Sequence, residues 1–137
     1  FAHGGLLKNR RYADAEPISL GGAIFGKGLM LCQETAPGGG YSEAIYDLRA
    51  HPERHRFRAV IGIDAYTGAN GSASFEVQVM RDTEWEAVYR SPVLRGGDDP
   101  LTVDVEIAGA KKLRLYCTDA GDNINSDHAA WAEARLE

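Results

Sequence analysis

Hydrophobic and polar residues alternate along most of the chain. Phe57, Ala59, Ile61 and Ile63 are interleaved with Arg58, Val60, Gly62 and Asp64. Phe75, Val77 and Val79 alternate with Glu76, Gln78 and Met80. Leu101, Val103, Val105 and Ile107 alternate with Thr102, Asp104 and Glu106, and Leu113, Leu115 and Cys117 with Lys112, Arg114 and Tyr116. A period of two is that of a strand with one face in a core. Further strands are predicted over 28–33, 42–48, 85–90 and 129–136. No helical period of 3.6 persists; the segment 46–54 has room for one turn, which Pro52 ends.

Between these runs lie turn-forming clusters: Pro37-Gly38-Gly39-Gly40, Gly68-Ala69-Asn70-Gly71 and Gly96-Gly97-Asp98-Asp99-Pro100. Asn70-Gly71 suits a tight hairpin turn, because both residues tolerate positive φ. The turn also accounts for the glycosylation-type triplet Asn70-Gly71-Ser72 without any modification. Ala108-Gly109-Ala110-Lys111 predicts a second hairpin, with Ile107 opposite Leu113 and Glu106 opposite Arg114. Such an opposite-charge pair suits a solvated face, and a one-residue slip would bury it. The expected fold is all-β: a single-domain antiparallel β-sandwich.

Composition agrees with that picture. The 137 residues, 44% hydrophobic and 26% charged, suit one domain with one core. A net charge of -5 argues against a basic face for nucleic acid or anionic membrane. No apolar run is long enough to span a bilayer. Phe1-Ala2-His3-Gly4-Gly5 lacks the pattern of a signal peptide, and the N-terminus is expected to be a boundary within a larger protein. Cys32 and Cys117 lack CxxC spacing; buried thiols are favoured over a disulfide.

Candidate chemistry is sparse. His51-Pro52-Glu53-Arg54-His55 resembles a zinc-protease helix only superficially, since Pro52 breaks the helix and the glutamate is one place late; a solvated loop is the better reading. The glycines at 21, 22, 26 and 28 follow no long strand and open no helix, so they read as bends. The stretch 118–128 concentrates Asp119, Asp122, Asn123, Asn125 and Asp127. These are hard oxygen ligands of the kind calcium takes, although a long turn capped by its own side chains is the plainer reading. Aromatic residues are the remaining lead, because a ring stacks on the apolar face of a sugar while amides and carboxylates bond its hydroxyls. The candidates are Tyr41, Tyr66, Trp85, Tyr89 and Trp131. Trp131, flanked by alanines, is expected in the core, and Tyr66 and Trp85 near turns.

Several segments, in order, resemble one family. They are Phe25-Gly26-Lys27-Gly28-Leu29, Ile45-Tyr46-Asp47-Leu48, Phe57-Arg58-Ala59-Val60-Ile61-Gly62-Ile63-Asp64, Gly71-Ser72-Ala73-Ser74-Phe75-Glu76-Val77, Leu113-Arg114-Leu115-Tyr116-Cys117-Thr118-Asp119-Ala120-Gly121-Asp122 and Ser126-Asp127-His128-Ala129-Ala130-Trp131-Ala132. The set is similar to the NPCBM domain, carbohydrate-binding module family 51, over residues 18 to 136, with 1–17 as a lead-in. The resemblance implies a jelly-roll, galactose-binding-like sandwich that is not itself an enzyme. It implies galactose-containing glycans as ligands, a neighbouring glycoside hydrolase domain and an extracellular or periplasmic address. Sugar contacts are expected at Tyr66, Trp85, Asp119, Asp122, Asn123 and His128. A structural calcium is expected at Asp127 and Glu133. Two positions depart from the family: Cys32 stands where a histidine is expected, and the first 17 residues lack the usual aromatic lead-in.

Two other functions are weighed against sugar binding. One is a structural or protein-interaction sandwich. The other is a stand-alone hydrolase, which needs two facing carboxylates in a deep pocket and for which the chain is short.

Overall fold

The structure, a computed structural model, describes residues 2–3, 5–8, 18–20, 23–25, 28–32, 41–63, 72–118 and 128–137. Side chains are described from Glu43 on, His128 excepted. The strands are β1 (Ala2–His3), β2 (Gly5–Lys8), β3 (Ile18–Leu20), β4 (Ala23–Phe25), β5 (Gly28–Cys32), β6 (Tyr41–Asp47) and β7 (Arg56–Ile63). They continue as β8 (Ser72–Met80), β9 (Trp85–Arg90), β10 (Leu94–Arg95), β11 (Leu101–Glu106), β12 (Lys112–Thr118) and β13 (His128–Leu136). Among the described residues there is no helix. Segment 46–54 instead finishes β6 and then turns, with His51 N–H donating to the Leu48 carbonyl at 2.9 Å and Arg54 N–H to that of His51 at 3.1 Å.

The pairings are antiparallel throughout. One sheet runs β1-β6-β12-β8-β10, with β9 also on β8; the other runs β11-β7-β13-β5-β2; β3 and β4 pair separately. The inward residues of both sheets form one core. Phe57, Ala59, Ile61 and Ile63 come from β7, Phe75, Val77 and Val79 from β8, and Leu113, Leu115 and Cys117 from β12. The period-two pattern thus marked the buried face correctly. Trp131 is the largest fully buried side chain. Its ring meets Phe75 of the opposite sheet edge-on at 5.3 Å and Phe57 at 6.1 Å, which locks the two layers together. Cys117 is a buried thiol on β12, whereas Cys32 lies on β5 in the other sheet.

Both expected hairpins fail. β11 pairs with β7, and β12 lies between β6 and β8. Glu106 therefore stands opposite Arg56, and Arg114 opposite Ile45 and Gln78. The connecting residues do make a tight turn. Ala110 N–H donates to the Ile107 carbonyl at 3.0 Å, and Gly109 takes φ 78°, a conformation that favours glycine. The chain then crosses to the other sheet, where Lys111 N–H reaches the Met80 carbonyl and its own carbonyl accepts from Leu48, each at 2.8 Å. A turn signal between two alternating runs reports the bend and not which sheet receives the second strand. The Asn70-Gly71 turn lies outside the described residues; its flanking strands, β7 and β8, also sit in different sheets.

The sandwich has two distinct ends. β10 meets the start of β8, and after residues 96–100 Leu101 pairs with Ile61. Thr118 with Tyr41 and Ser74, and His128 with Cys32, lie at this same end. The strands bordering 33–40, 64–71 and 119–127 therefore all stop there, at the loop end of the sandwich. The opposite end carries the turns at 48–55, 81–84 and 107–111.

Candidate functional site

Trp85 opens β9, in register with Met80 of β8. Period-two alternation turns its ring to the outer face of the first sheet, where it is half-buried. The Arg114 guanidinium lies over it, 5.8 Å from the ring centroid, and 4.6 Å from the centroid of Tyr116. Arg114 is fixed from two further sides. It forms an ion pair with Glu43 of β6, and its Nη1 donates to Gln78 Oε1 at 3.0 Å. Gln78 Nε2 donates in turn to Glu76 Oε1 at 2.9 Å, and that same oxygen faces Arg90 Nε at 3.4 Å. The result is a continuous row across β6, β12, β8 and β9. Glu43 is only 8% exposed, so its charge needs the arginine. The stacked guanidinium holds both rings in place.

Of the predicted site residues, the structure describes Trp85, Glu133 and the backbone of His128. Tyr66, Asp119, Asp122, Asn123 and Asp127 lie outside the described residues. His128 begins β13 at the loop end, its side chain undescribed. Trp85 sits at the opposite end of the sandwich, on the first sheet. Thr118 pairs with Ser74 and Lys112 with Met80, so the six steps of β8 between those levels put Trp85 about 20 Å from where β12 ends. One sugar ring does not span that distance.

Glu133 is placed differently again. β13 gains one residue on β7 between Ala132 and Arg135, and at this bulge Glu133 adopts φ 52°. A non-glycine residue in the left-handed region is strained. Its side chain is exposed beside a hollow of about 230 Å³ lined by Arg58, Thr102, Asp104 and Arg135. Asp127, the other expected calcium ligand, lies outside the described residues. The guanidiniums of Arg58 and Arg135 line the same hollow as Glu133 and disfavour a dication at that side chain. Among the described residues no cluster of three or more His, Cys, Asp or Glu could hold a metal. His51 and His55 lie in an exposed loop, as expected.

The carboxyls with shifted acidity also speak for holding and not for proton transfer. The Arg49 side chain, bonded to Asp47, lowers that carboxyl to about 2. Bonding to Arg56 lowers Asp104. Both shifts run opposite to what a general acid needs. Sequence reasoning missed Glu43, Gln78, Arg114 and Tyr116 as a group. Each falls on an outward position, but their meeting depends on β12 lying between β6 and β8, which alternation does not reveal.

The NPCBM/NEW2 domain family matches residues 3–137. A Renibacterium salmoninarum protein named "Putative endo-alpha-N-acetylgalactosaminidase" is 30% identical over 123 residues, which is 90% of this chain and 7% of that protein. The CBM51 of Clostridium perfringens GH95, solved in complex with methyl-galactose, is 29% identical with a TM-score of 0.82, covering 100% of this chain and 92% of that one. CBM51-2 of Clostridium perfringens ZmpB, solved with its INT domains and GlcNAc, is 25% identical with a TM-score of 0.78, covering 99% of this chain and 29% of that one. The chain thus spans a small part of the curated relative.

Proposed function

The chain belongs to the NPCBM/NEW2 family and is a carbohydrate-binding module, not an enzyme; from this premise we propose that it holds a terminal galactose-type sugar at the loop end. The end-to-end likeness to a module solved with methyl-galactose carries this reading. Tyr66 would stack on the sugar's apolar face, and Asp119, Asp122, Asn123 and His128 would bond its hydroxyls. Within a longer, secreted protein the module would keep an attached glycoside hydrolase close to its glycan. Weak single-site binding is enough for that task, because attachment raises the effective concentration.

Calorimetric titration with methyl-galactoside tests it. A Kd of about 0.1–1 mM is expected, lost in Tyr66→Ala. A blank result across a broad glycan array would leave the alternative, a structural or protein-interaction sandwich.

Calcium is proposed at the Asp127 side of the loop end, without Glu133. Chelation should lower Tm equally in the natural chain and in Glu133→Gln. A variant that no longer responds to calcium would return Glu133 to the ligand set.

A further inference from the structure

We propose that the Trp85 row on the outer face of the first sheet is a second contact surface, separate from the loop end, for an internal unit of a longer neutral glycan. The inference rests on the carbohydrate-binding reading and extends it. Four observations carry it. Trp85 stands about 20 Å along the sheet from Thr118, the last residue of β12, which is farther than one sugar ring spans. The row crosses four neighbouring strands, β6, β12, β8 and β9, a width of about 14 Å at ~4.8 Å per strand. That is longer than one ring and suits a chain. Its charges balance, Glu43 and Glu76 against Arg114 and Arg90, so a net charge of either sign on the ligand meets a like charge. Finally, its groups are already held. Glu43, Arg114, Gln78 and Glu76 bond one another and two rings flank the guanidinium, so little side-chain freedom remains to be lost on binding.

The chain has two tryptophans, and Trp131 is fully buried. Quenching of tryptophan fluorescence by acrylamide therefore reports on Trp85. The probes are methyl-galactoside and neutral galactose-terminated oligosaccharides of increasing length. The longer oligosaccharides should shield Trp85, and methyl-galactoside should not. Trp85→Ala should leave the Kd for methyl-galactoside within twofold and weaken the longest oligosaccharide about tenfold. Gln78→Ala, which keeps the ring, should show the same pattern more weakly. Three results would overturn the proposal: methyl-galactoside shields Trp85, the variants weaken both ligands equally, or neither ligand's affinity changes. If the natural chain binds no methyl-galactoside, the galactose reading fails by itself. Shielding by oligosaccharides would then still support the second surface, and no shielding by any of them would end it.

Discussion

The two outer faces of the sandwich carry similar chemistry in opposite settings. On the first sheet, Arg114 and Glu43 form an ion pair whose side chains are 22% and 10% exposed, beneath two aromatic rings. On the second, Arg56 and Asp104 pair at 2.6 Å with side chains 37% and 39% exposed. Arg58 joins Asp104 and Glu137 there, and Arg135 joins Glu137. Water screens the second network, and each of its charges keeps much of its hydration. The first pair has given up its hydration and depends on mutual neutralisation. The first face is therefore stiff and intolerant of change, the second soft and replaceable. A ligand surface is better built on the first.

Removing one partner from each pair would test that contrast most severely. Glu43→Ala should destabilise by about 2–4 kcal/mol in urea unfolding, because Arg114 is left half-buried and unpaired. If Asp104→Asn costs as much, the contrast between faces is wrong; its unfolding midpoint should barely move. Glu133→Gly should go the other way and stabilise by about 1 kcal/mol, since glycine relaxes the positive φ at the bulge. An unchanged or lower midpoint would mean that the bulge is not strained.

The smallest effect is in the acid limb. Arg49 and Arg56 depress the Asp47 and Asp104 carboxyls in the folded chain. Unfolding returns both to ordinary values near 4, so the unfolded chain binds protons first as pH falls. The stability these pairs contribute is complete above about pH 4 and is lost as pH drops towards the folded-state values. Carboxyl NMR should find the Asp47 midpoint near 2. A midpoint near 4 would show that the Arg49 contact does not persist in solution.

Alternation carried most of the fold. It marked the buried faces of β7, β8 and β12, and it bounded β9 at Trp85 and Arg90. What it could not carry was lateral order. An outward charge looks the same whichever strand lies beside it, so alternation alone matches Glu106 with Arg114, whereas its partner across the ladder is Arg56. The site was legible only to the same degree. Trp85 stands out in the sequence because an aromatic beside a turn is conspicuous. Its distance from the loop end follows from strand register, and its companions Arg114, Gln78 and Glu43 follow from sheet order. Glu133 stood out as an acidic residue, whereas its strain comes from a bulge that only the pairing with β7 reveals.

The position of β13 bears on how the domain emerges during synthesis. This strand spans residues 128 to 136 yet sits in the middle of its sheet, between β7 and β5. It also supplies Trp131, the residue that joins the two layers. A nascent chain therefore holds β7 and β5 without the element that unites them until almost all of the domain has left the ribosome. Only nearby pairs such as β8 with β9 can close early. The remaining pairings wait on long-range loop closure, which is slow. Ribosome-arrested chains stopped before residue 128 should be open to proteases along most of their length, and those extended past residue 137 with a linker should be resistant.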